Sequence, residues 1–171
     1  MFSVVKSSLP DDAFLARYAE GKSHTDCYFT EIEGAFSLPD YIFAFYTTRI
    51  FKLERVILKI AASKPSDDGQ ARGLADGDSE TFAAWSVEQR DHNQILLGDY
   101  LGKTKSWLMV SPVLTAPAPR TTLFFGSAVV ATKNPKSGES ELGSIYQALL
   151  GFHKFYSQLL LSAARSRLKS L

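Results

Sequence analysis

Residues 142–171 read LGSIYQALLGFHKFYSQLLLSAARSRLKSL, and this stretch decides the fold class. Ile145, Leu149, Phe152, Tyr156, Leu159, Leu160, Ala163 and Leu168 recur at three- and four-residue spacing, which gathers them on one face of a helix. The spacing predicts a long helix over Leu142–Leu168, with Leu149, Phe152 and Tyr156 turned inward and Arg165 and Lys169 in water. A helix with so wide an apolar face must lie on something broad.

The segments before it supply that surface. From Thr81 the apolar period drops from about 3.6 to two. Thr81–Arg90 and Gln94–Leu101 flank the turn trio Asp91-His92-Asn93 as a hairpin, Thr104–Val113 follows, and Thr121–Thr132 closes a four-stranded meander. Cys27–Ile32 alternates as an earlier strand, and Leu9–Ala19 opens with Pro-Asp-Asp as a short helix. Ser37, just ahead of Pro39 and Asp40, is an N-cap for a helix expected to run from Pro39 to about Ala62. Residues 63–80, rich in Ser, Asp, Gly and Ala, read as a loop, and a lid is the functional alternative to an ordinary surface loop. The expected class is therefore α+β: one domain over 1–171, with a curved antiparallel sheet wrapped around a long C-terminal helix and a core spanning about 26–168.

Composition narrows the function. Hydrophobic residues make up 45% of the 171, and 19 basic residues face 18 acidic ones for a net charge of +1. Such a balance gives no whole-chain attraction to nucleic acid or anionic lipid. Apolar runs such as Tyr41–Thr48 fall far short of the roughly 20 residues that span a bilayer. Cys27 is the sole cysteine, so an internal disulfide is ruled out, and with no signal-peptide pattern at the N-terminus a reducing cytoplasmic home is expected. Twelve phenylalanines, seven tyrosines and two tryptophans can pave a core or line an apolar pocket.

The chemistry-bearing residues are few. His24, His92 and His153 with one cysteine show no zinc-like spacing, and neither metal nor cofactor is expected. His153 shares a helical stripe with Tyr146, Leu150, Ser157 and Leu160, where its imidazole could bond a ligand or act as a base beside Tyr146 or Tyr156; a histidine bonded to backbone or water is the commoner outcome. Trp85 and Trp107 fall mid-strand, either as walls of a pocket or as ordinary core beneath a helix. Glu88, Arg90 and Asp99 suggest cross-strand ion pairing. There is no Gly-x-Ser-x-Gly elbow and no phosphate-binding glycine pattern.

A meander followed by a long terminal helix resembles the helix-grip fold of the START and polyketide-cyclase (SRPBCC) superfamily. Leu53-Glu54-Arg55, Ile95-Leu96-Leu97-Gly98-Asp99, Ser106-Trp107-Leu108 and Phe152-His153-Lys154-Phe155-Tyr156 look like an uncharacterised bacterial family within or near it. The resemblance implies a pocket between sheet and terminal helix, with no activity attached. The expected function is binding of a small hydrophobic molecule, with Trp85, Trp107, Tyr146, Phe152, His153 and Tyr156 as ligand-binding residues. Two alternatives stay open: a cyclase- or aromatase-like enzyme using His153 and a tyrosine, and a protein-interaction module. Self-association as a homodimer is open as well.

Overall fold

A computed structural model of the chain describes residues 3–20, 23–52, 66–113, 118–133, 140–141 and 144–171, with side chains of the last helix described from residue 155 onward. The fold is α+β. Seven strands form one open antiparallel sheet: β1 (Val5–Lys6), β2 (His24–Glu33), β3 (Thr81–Phe82), β4 (Trp85–Arg90), β5 (Gln94–Asp99), β6 (Thr104–Val113) and β7 (Arg120–Val129), in the spatial order β1-β2-β7-β6-β5-β4-β3. The meander thus ends by returning its last strand to the first long one, with Tyr28 opposite Phe125 and Phe125 opposite Leu108. Two further two-residue strands, β8 (Thr132–Lys133) and β9 (Ser140–Glu141), pair with each other. The hairpin expected at Asp91-His92-Asn93 is present. It is held because the Asp91 carboxylate accepts the backbone N–H groups of Asn93 and Gln94 at 2.8 and 2.9 Å.

Among the described residues, three helices share one face of the sheet. Helix α1 (Leu38–Tyr46) starts at the expected cap, where Ser37 Oγ accepts the Asp40 N–H at 3.3 Å and the Asp40 carboxylate accepts the Ser37 N–H at 3.1 Å. It does not run on unbroken. Thr47 directs both its N–H and its hydroxyl to the Phe43 carbonyl, at 3.1 and 2.6 Å, and Thr48 turns both of its donors to the Phe45 carbonyl, three residues back instead of four, which ends the regular ladder. Thr48 Oγ then accepts the Phe51 N–H at 3.1 Å, so a new helical run begins at residues 49–52. The remainder of the expected helix, to Ala62, lies outside the described residues, as does Leu53-Glu54-Arg55.

Part of the expected loop is a helix. In α2 (Asp68–Asp76), Asp67 and Gln70 form a reciprocal capping box, and Gly77 ends the helix at φ 85°, a conformation that favours glycine. Its small apolar residues Ala71, Leu74 and Ala75 are buried. The Arg90 guanidinium donates to the carbonyls of Leu74 and Ala75, which satisfies the last turn.

Helix α3 (Ser144–Leu168) is the terminal helix, and it packs over β2 and β7. Its buried stripe is Ser157, Leu160, Leu161, Ala164 and Leu168, rotated from the expected one: Leu159 is 41% exposed. Arg165 is half-buried instead of lying in water, while Lys169 is exposed as expected. Leu149 and Phe152 have side chains outside the described set.

Helix α1 takes the middle of the face, between α2 and α3. Its Phe45 ring sits 4.9 Å from Phe125 of β7, and Tyr46 lies 4.7 Å from Phe51 and 5.2 Å from Phe82. The other face of the sheet is covered by the N-terminal segment, which ends in a 3-10 turn over Phe14–Tyr18. Ala13 and Leu15 pack there on Cys27, Leu96, Trp107, Met109 and Ala128. Gly126 permits this approach, since a Cβ on it would stand 2.7 Å from Leu15 and 2.9 Å from the Trp107 ring.

Candidate functional site

Alternation along β2 aims Asp26, Tyr28, Thr30 and Ile32 at the helices. Four residues so close to a helix layer are ordinarily apolar, and three of these carry polar atoms. Asp26, 4% exposed, accepts the Ser127 N–H at 3.2 Å and the Ser127 hydroxyl at 2.7 Å. Tyr28 has its phenol pushed above the ordinary range, first by burial and then by the Asp26 charge, with the Gln158 side chain of α3 working in the opposite direction. Thr30 is 1% exposed, and Ser157, next to Gln158 on α3, is fully buried. Among the described residues neither the Thr30 nor the Ser157 hydroxyl has a hydrogen-bond partner. The Trp85 indole N–H, on the same face of the sheet at β4, is in the same condition.

The residues expected to line a pocket are distributed as follows. Trp85 and Tyr156 both pack, partly buried, on the core between sheet and helices. They belong to opposite ends of it, because β7, β6 and β5 lie between β2 and β4. Four strand spacings amount to about 19 Å, and the rings of α1 occupy the middle. Trp107 is on the other face altogether. Fully buried beneath the N-terminal segment, it donates its indole N–H to Gln94 Oε1 at 2.9 Å. The two tryptophans therefore do not wall a common cavity. Strand period fixes which residues share a face, and here both faces are covered, so either tryptophan could be buried without meeting the other. Tyr146, Phe152 and His153 lie on α3, and their side chains fall outside the described set.

Cys27 is on the Trp107 side. Burial, with the Asp26 charge adding, pushes its thiol up to about 12, so it stays protonated and unreactive at neutral pH.

The expected ion pairing is rearranged by a bulge in β4, where the register shifts between Val87 and Gln89. Arg90 faces α2, whereas Glu88 pairs with Lys105 beneath the N-terminal segment, and the Tyr18 hydroxyl donates to Glu88 at 2.7 Å. Asp99 is engaged elsewhere, accepting the N–H groups of Lys103 and Thr104 in its own turn. Burial alone would raise the Glu88 carboxyl. The hydrogen bonds from Lys105 and Tyr18, with the Lys105 charge, reverse this and hold it below the usual range. Lys105 is opposed by burial and yet held above its usual value by Glu88. The signs define a window. The carboxylate contributes stability above its unfolded value near 4.3, lost as pH falls through the lowered folded value; the ammonium contributes below its unfolded value near 10.4, lost as pH rises through the raised one. Glu88→Gln is expected to cost about 1–3 kcal/mol at pH 7, between exposed and fully buried pairs, and to lose most of that difference from wild type by pH 2–3. Urea unfolding at both pH values measures it; an unchanged difference would mean that the charge pair contributes nothing.

Among the described residues no three His, Cys, Asp or Glu side chains are placed to hold a metal ion, and no helix is long and apolar enough to cross a membrane. No protein-family model matches the chain, and no curated protein is significantly similar to it.

Proposed function

We propose that this protein binds a small, largely apolar molecule bearing at least one polar group, held in the seam between β2 and α3. The observation that supports this is the pair of buried hydroxyls, Thr30 and Ser157, without partners among the described residues. A buried polar group left unsatisfied costs about 1–3 kcal/mol, and a ligand that hydrogen-bonds to it offsets that cost. Tyr28 and Tyr156 supply aromatic surface on the same side, and the resemblance to the helix-grip superfamily implies a pocket in this position. Tyr146, Phe152 and His153, on the first half of α3, complete the proposed lining. Binding requires only these walls and hydroxyls, so it is preferred here to acid–base catalysis by His153 and a tyrosine.

Fatty acids, sterols and flat aromatic compounds titrated against intrinsic fluorescence test the reading. At least one class should bind. Ser157→Ala should leave the free protein as stable as before, or more stable by about 1 kcal/mol, while weakening that ligand about fivefold to tenfold. No response from any class, or equal binding by Ser157→Ala and Thr30→Val, would overturn it.

A further inference from the structure

The helix break at Thr47–Thr48 and the last turns of α3 border a groove of about 590 Å3, outside the sheet and separate from the seam. That volume falls within the roughly 300–1,000 Å3 of small-molecule sites. Arg49, Ile50 and Lys52 line it from the first side, Ala163, Ser166 and Arg167 from α3, and its exposed lining is mainly carbon. Among the described residues it holds three cationic side chains and no Asp or Glu.

The cations differ in what they have left to offer. Lys52 is committed to Asp68 at 2.6 Å. Arg167 is half-buried and positioned: its Nε donates to Thr47 Oγ at 2.9 Å, and Thr47 in turn donates to the Phe43 carbonyl at 2.6 Å. That relay fixes the plane of the guanidinium and leaves its two terminal nitrogens without a partner among the described residues. Arg49 is exposed and has no acidic partner among them either. The negative end of the α3 dipole is partly answered, because Ser170 and Leu171 return their N–H groups to the carbonyls of Arg167 and Leu168. A fixed guanidinium fork in a concave, carbon-lined site, where the nearby Asp68 carboxylate is engaged by Lys52 and no Asp or Glu stands among the described lining residues, is suited to a planar or tetrahedral oxyanion.

We infer that this groove binds an amphipathic anion, a single carboxylate or phosphate monoester on a short apolar body. Arg167 and Arg49 take the oxyanion, and Ile50 and Ala163 take the chain.

Calorimetric titration of the full chain at low salt with octanoate, octyl phosphate, inorganic phosphate and octanol tests this. Octanoate or octyl phosphate should bind, and the tighter of the two identifies the head group. Octanol, and inorganic phosphate relative to octyl phosphate, should each bind at least about tenfold more weakly. Arg167→Gln should weaken binding about tenfold and Arg49→Gln about threefold, with Lys103→Gln as an unaffected surface control. Arg49 is exposed, so its variant reads the site even if Arg167→Gln fails to fold. Undiminished binding by Arg49→Gln and by any folded Arg167→Gln would overturn the inference, as would equal binding of octanol and octanoate or of the two phosphates. An affinity that falls in Ser157→Ala while Arg49→Gln binds normally would move the ligand to the seam, and that too would overturn it.

Discussion

Phe45→Ala is expected to lower the stability of this protein by about 3–5 kcal/mol, the range for removing a fully enclosed aromatic ring. Phe45 is 1% exposed and sits where α1 meets the sheet. Its ring lies 4.9 Å from Phe125, 5.2 Å from Tyr46, and 6.1 Å from both Tyr41 and Phe51. These rings come from α1, the following helical run and β7, so the void could collapse only by moving several elements at once. For a chain of this length each kcal/mol corresponds to about 2–4 °C in Tm, and a fall on the order of 10 °C should accompany the loss. Guanidinium unfolding measures it. A loss below about 1 kcal/mol would mean that α1 is not packed on the middle of the sheet.

Gln94→Leu should have an effect of similar size through a different physical cause. Gln94 is 2% exposed and tethers the N-terminal segment to the second face of the sheet. Its Oε1 accepts both the Trp107 indole N–H and the Phe14 backbone N–H at 2.9 Å, while its Nε2 donates to the Asp12 carbonyl at 3.0 Å. Leucine is comparable in bulk and makes none of these bonds. At about 1–3 kcal/mol for each buried group left unsatisfied, and allowing the peptide groups of the segment to regain water, the expected loss is about 2–4 kcal/mol. Residues 9–18 should also open locally, with faster amide exchange there than in β6 or β7. A stability within about 0.5 kcal/mol of wild type, with exchange unchanged, would show that the tether is dispensable.

Several features were legible because they depend on neighbours in the chain. Ser37 and Asp40 cap α1 through atoms three residues apart, and Asp91 closes its hairpin through bonds to residues two and three positions on. The four meander strands announce themselves by alternation, and the long terminal helix by its spacing. Two local signals for a helix stand in the stretch 63–80. Asp67 with Gln70 is a capping box, and Gly77 is a helix stop, yet the Ser, Asp and Gly around them suggested a loop. Paired threonines at 47 and 48 carry a comparable warning, since two adjacent hydroxyls competing for helical carbonyls can end a helix whose apolar stripe continues. The short strand β1 exists only through its partner, and the expected strand Thr81–Arg90 is split by a turn at Ala83, φ 52°, into β3 and β4, which pair with each other.

The candidate site was less legible. Ser157 already stood in the stripe that holds Leu160, and Thr30 in the alternation that holds Tyr28 and Ile32. What periodicity does not supply is that neither has a partner among the described residues, which depends on elements distant in sequence. Pairing at Glu88 followed the same logic: a single bulged residue in β4 sends Glu88 toward Lys105 and Arg90 toward α2, so three charges on adjacent strands find three separate fates.

By itself, then, the sequence determined the α+β class, the meander, the terminal helix and several caps and turns, because hydrogen bonds and periodicities within a few residues govern each of them. Only the tertiary structure decided that α1 fills the centre of the sheet, that the N-terminal segment covers its other face, and that Trp107 is buried on one side while Trp85 is partly buried on the other. Those outcomes depend on which surfaces meet. A two-residue period is equally compatible with either face being covered by helices, and the choice is made by packing among residues 70 to 120 positions apart.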